Sequence, residues 1–81
     1  MERKIVSEEE LISILNGELS KFGECKDCQF YHVSKLQESD NDGCNWSSEV
    51  MLRCSGVPVK ICQKFAHRII NEARKKYNLK I

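Results

Sequence analysis

Cys25-Lys26-Asp27-Cys28-Gln29-Phe30-Tyr31-His32-Val33-Ser34-Lys35-Leu36 is the stretch around which the rest of this 81-residue chain is read. It opens on a close pair of cysteines and runs into aromatic and β-branched residues, which favour a strand. A chain this short forms one domain, 1–81, with a small core, so a covalent or metal staple is expected. Five cysteines, all beyond residue 24, are available to build one. Each can serve as an apolar core residue, as half of a disulfide or as a metal-bound thiolate.

Downstream of the stretch, Ser39-Asp40-Asn41-Asp42-Gly43 is a dense turn signal. Val50, Leu52 and Cys54 then alternate with Met51 and Arg53, which predicts a second strand and a hairpin over about 29–54. After Ser55-Gly56, Pro58 suits the first position of a helix, where its missing N–H costs nothing. Ile61, Cys62, Phe65, Ala66, Ile69, Ile70, Ala73 and Tyr77 recur at helical spacing and predict a helix over about 58–77. Asn78 is read as its stop. Upstream, Ser7 and Glu10 have the spacing of a capping box ahead of the stripe Leu11, Ile12, Leu15, Leu19 and Phe22. That predicts a helix over about 8–22, ended by Gly23, with a short strand at 3–7 before it. The fold class is therefore α+β, a small single domain of order (β)-α-β-β-α. Two helices pack on a β-hairpin or short antiparallel sheet.

The spacing of the cysteines points to one structural zinc ion. A pair separated by two residues supplies two ligands of a tetrahedron, and two more are required. In the hairpin, Cys28 lies beside Cys54, while Cys44 sits near the far tip, about 25–30 Å away at ~3.3 Å per residue. Cys62, in the second turn of the final helix, can swing back to the same corner. The expected ligands are Cys25, Cys28, Cys54 and Cys62, with Cys44 or His32 as substitutes. This layout of knuckle turn, hairpin and helix resembles treble-clef zinc modules over about residues 25–70. Such modules place a second close pair at the helix start, where this chain has the longer interval from Cys54 to Cys62.

Other chemistries use the same residues. Cys62 lies in an apolar helical stripe and Cys54 alternates with Val50 and Leu52, so both also fit a metal-free globular domain. A thiol-redox or iron–sulfur protein would use the Cys25/Cys28 pair. Reactive pairs need a helix N-terminus or a cation beside them, whereas Glu24 and Asp27 flank this one. Glu38, Asp40, Asp42, Gly43 and Glu49 match calcium-loop spacing, but a strand precedes them where a helix is required. No set of residues identifies a catalytic site.

Charge is divided along the chain. Residues 1–49 hold 5 Lys/Arg and 11 Asp/Glu, whereas residues 50–81 hold 8 Lys/Arg and Glu72 as their one acid. Lys60, Lys64, His67, Arg68, Arg74 and Lys75 fall opposite the apolar stripe of the final helix. That basic face suits nucleic acid or an acidic protein. No small-molecule substrate is inferred. A membrane role is not expected, because no apolar run approaches the roughly 18 residues of a span. The N-terminal residues lack the features of a secretory signal, which predicts a cytoplasmic protein.

Overall fold

Ser7 starts the first helix as the sequence predicts, its Oγ accepting from the Glu10 N–H at 3.1 Å. The reciprocal half of the box differs: the Ser7 hydroxyl donates to the Glu10 carboxylate at 3.4 Å. The computed structural model describes residues 3–39, 41, 43–56 and 58–80. Within them the order is β1 (Lys4–Val6), α1 (Glu8–Leu19), a 3₁₀ turn (Gly23–Cys25), β2 (Cys28–His32), β3 (Met51–Cys54), α2 (Val59–Lys76) and β4 (Tyr77–Leu79). The α+β class and the two helices agree with the sequence reading.

Two sheets form in place of one. β2 and β3 are antiparallel, with Cys28 opposite Cys54, Gln29 opposite Arg53 and Phe30 opposite Leu52. An irregularity follows Phe30 and brings His32 opposite Met51. The strands are shorter than the expected hairpin. Beyond them the connection is held by a single antiparallel bridge between Lys35 and Trp46, flanked by Leu36 N–H to Asn45 C=O and Ser47 N–H to Ser34 C=O, each 2.9 Å. The second sheet joins β1 in parallel to β4, the strand that follows α2 directly. α2 therefore ends at Lys76, just before the expected stop, and Asn78 sits in the middle of β4.

The core lies between the helices and the β2–β3 sheet. Leu11, Leu15 and Leu19 of α1 are buried against Phe30, Val33 and the α2 residues Cys62, Ala66, Ile69, Ile70 and Ala73. Trp46 is fully buried (0 % exposed), and its indole N–H donates to the Tyr77 C=O at 3.0 Å. Phe22 lies outside α1 yet still packs, stacking on Phe65 with ring centroids 4.6 Å apart. Ile61 departs from the expected stripe: it is 47 % exposed. Pro58 is the residue before α2 and holds an extended backbone, so Val59 takes the first helical position.

Candidate functional site

Four of the five cysteines form disulfides, Cys25–Cys62 and Cys28–Cys54. The first ties the 3₁₀ turn to the second turn of α2, and the second crosses the β2–β3 sheet between directly opposed residues. This corrects the zinc expectation. The corner geometry does bring Cys28 to Cys54 and Cys25 to Cys62, but each sulfur is bonded to another sulfur and is no longer a thiolate able to grip a metal. Among the described residues, no group of three or more His, Cys, Asp or Glu side chains is placed to hold one. The same bonds overturn the iron–sulfur and Cys25/Cys28 redox alternatives, because Cys25 and Cys28 are each joined to a different, distant partner.

The substitute ligands lie elsewhere. Cys44 remains a buried thiol whose Sγ donates to the Trp46 C=O at 3.6 Å. His32 Nδ1 stands 3.9 Å from the Glu8 carboxylate on the outside of the molecule. Of the calcium-loop residues, Asp40 and Asp42 lie outside the described residues.

The basic face of α2 is a continuous outer strip. Lys60, Lys64, His67, Arg68 and Lys75 are all exposed, and from Lys60 to Lys75 they cover about 22 Å at 1.5 Å per residue. The one acid of the helix, Glu72, stands 4.0 Å from Lys75. Arg74 is different. Its Nε donates to the Trp46 C=O at 3.1 Å and its guanidinium lies over the Trp46 ring. Its own C=O accepts from Arg3 Nε at 2.6 Å. The Arg74 side chain thus holds Trp46 to the end of α2, while its backbone carbonyl receives Arg3, the residue before β1.

Two grooves flank the strip. Between α1 and α2, a groove of about 220 Å³ has Ile14 and Ile69 in its walls, with Glu18 and Glu72 balancing Arg68 and Lys76 at the rim. Between β3 and α2, a larger one of about 470 Å³ has Phe30, Met51 and Leu52 on one side and Val59, Gln63 and Ala66 on the other. His67 also lines it, and so does Glu49. Met51 and Val59 are 48 % and 39 % exposed, so this groove opens to solvent through apolar side chains. Met51 and Val59 are not among the site residues expected from the sequence. The signal was available in the alternation of Met51 and Arg53 with the inward residues of β3.

Comparison of the chain with protein-family models, with curated proteins and with solved structures yields no match.

Proposed function

We propose that this chain is a disulfide-stapled interaction module that docks on an acidic protein through the outer face of α2. The observation that carries the reading is the strip Lys60, Lys64, His67, Arg68 and Lys75, exposed along one helix whose sole acid is Glu72. The disulfide Cys25–Cys62 supports it by anchoring the helix that bears the strip. Cys62 pins the second turn of α2 to the turn before β2, so the helix is presented rigidly and little ordering is required on binding.

Protein is favoured over nucleic acid by what borders the strip. Ile61 and Val59 are exposed beside the basic residues and offer apolar anchors for a protein interface. Among the described residues, no exposed aromatic ring lies along it as a platform for base stacking. Trp46 is buried, Phe65 is partly buried and stacked on Phe22, and Tyr31 lies on the β2–β3 sheet beneath Arg53.

The test is titration of the disulfide-bonded chain with labelled polyglutamate and, separately, with a short DNA or RNA duplex. Affinity for polyglutamate should fall steeply between about 50 and 500 mM salt, as exposed charges are screened. Lys64→Glu with Arg68→Glu should weaken it roughly tenfold or more. Salt-insensitive binding, or binding unaffected by the double reversal, overturns the reading. A clear preference for the duplex assigns the strip to nucleic acid instead.

A further inference from the structure

We infer that Cys54 is a thiol-modification site, at which a small-molecule thiol such as glutathione opens Cys28–Cys54 while Cys25–Cys62 stays closed. The two bridges then have separate roles, one exchangeable and one structural. This is independent of the docking role proposed for α2.

Burial separates the two bridges. Thiol–disulfide exchange requires the attacking sulfur to reach the bond. Cys25 and Cys62 are 1 % and 0 % exposed and belong to the core. A thiol reaches that bridge only once the 3₁₀ turn parts from α2, which opens the core. Cys54 differs, as the one bridged cysteine that is not buried. It is the last residue of β3, and Ser55 and Gly56 after it are exposed. Its partner Cys28 is buried. Access therefore directs the attack to Cys54 and makes Cys28 the leaving group.

The surroundings favour the same end of the sheet. Cys54 lines a cleft of about 560 Å³ together with Lys26, Asp27, Gln29, Arg53 and Ser55. Two cations against one acid leave the cleft with a net positive charge. That attracts the thiolate, the anionic form that attacks.

In the step itself the thiolate sulfur bonds to Cys54 Sγ as the Cys28–Cys54 bond breaks. The electron pair leaves on Cys28 Sγ, which takes a proton from water, and Cys54 is left as a mixed disulfide. A second thiol that attacks the small-molecule sulfur of this adduct releases Cys54 as a thiol. The thiol's own disulfide is then the oxidised product of a two-electron reduction. The opened form keeps β2 and β3 paired through their backbone ladder and the Ser55 N–H to Asp27 C=O bond of 3.0 Å. Cys25–Cys62 still holds α2.

The experiment exposes the full, disulfide-bonded chain to glutathione under native conditions. Samples are quenched in acid, free thiols are alkylated with N-ethylmaleimide, and every cysteine is mapped by peptide mass spectrometry. Glutathione should appear on Cys54 with Cys28 alkylated, and Cys25–Cys62 should open at least about tenfold more slowly. Sub-denaturing urea should speed the opening of Cys25–Cys62 steeply and change attack at Cys54 by less than about twofold, because only the former exposes core surface. The adduct on Cys28, the opening of Cys25–Cys62 first or at an equal rate, or the same urea response for both bridges overturns the inference. Each of these readouts uses the unsubstituted chain, so none depends on a variant that folds.

Discussion

Asn45 and Asn78 hold each other's neighbourhood in place. Asn45 accepts from the Leu79 N–H and donates to the Leu79 C=O, while its own N–H donates to Asn78 Oδ1 at 3.2 Å. Asn78 Nδ2 in turn donates to the Gly43 C=O at 3.1 Å. Gly43 has a φ of +86°, a conformation that side chains disfavour, so the turn before this clamp requires glycine. Asn45→Ala should cost about 1–3 kcal/mol, because the Leu79 peptide groups lose their partner in a partly buried site. Urea unfolding with unchanged m-value would measure it, and a cost under about 0.5 kcal/mol would show the clamp to be incidental. None of this is legible locally. Asn45 falls outside the turn signal of 39–43, and its partner lies 34 residues away.

At the scale of elements, the helices were legible and the strand pairing only partly so. Leu11, Leu15 and Leu19 state their own period, and all three are buried where the period places them. The end of α1 was set too late because Phe22 fits the stripe, although Ser20 already caps the helix by donating its N–H to the Asn16 C=O. The register of Cys28 against Cys54 followed from a hairpin over 29–54. β4 did not, since three residues that continue directly from α2 carry no turn signal, and their partner β1 is more than 70 residues away. Gly17 sits exposed within α1, with open space where a Cβ would project. Gly17→Ala should stabilise the fold by about 1 kcal/mol through helix propensity and a less disordered unfolded chain. A rise in the urea midpoint would confirm it, and no rise would mean the glycine serves a role outside the helix.

For the whole molecule, the cysteine corner was legible and its chemistry was not. Spacing brought Cys28 to Cys54 and let Cys62 return toward Cys25. An odd count of cysteines excludes only a fully paired set, and with Cys44 set aside as a buried thiol the other four pair evenly. Cys28→Ala with Cys54→Ala should cost about 2–4 kcal/mol, the range for closing a loop of some 26 residues in the unfolded chain. Thermal unfolding with and without a reducing thiol checks this. Reduction should lower the melting temperature of the parent chain, and if it leaves it unchanged the disulfides do not hold the fold. The division of charge is visible at the same scale, with the cations of residues 50–81 concentrated on α2.

The pair Cys28–Cys54 lies inside the span closed by Cys25–Cys62, so residues 29–53 are enclosed twice. Gln37, Glu38 and Ser39 are exposed within that span. A protease that severs the backbone there leaves one particle, heavier by a single water, whose two pieces part only when both sulfur bridges are opened.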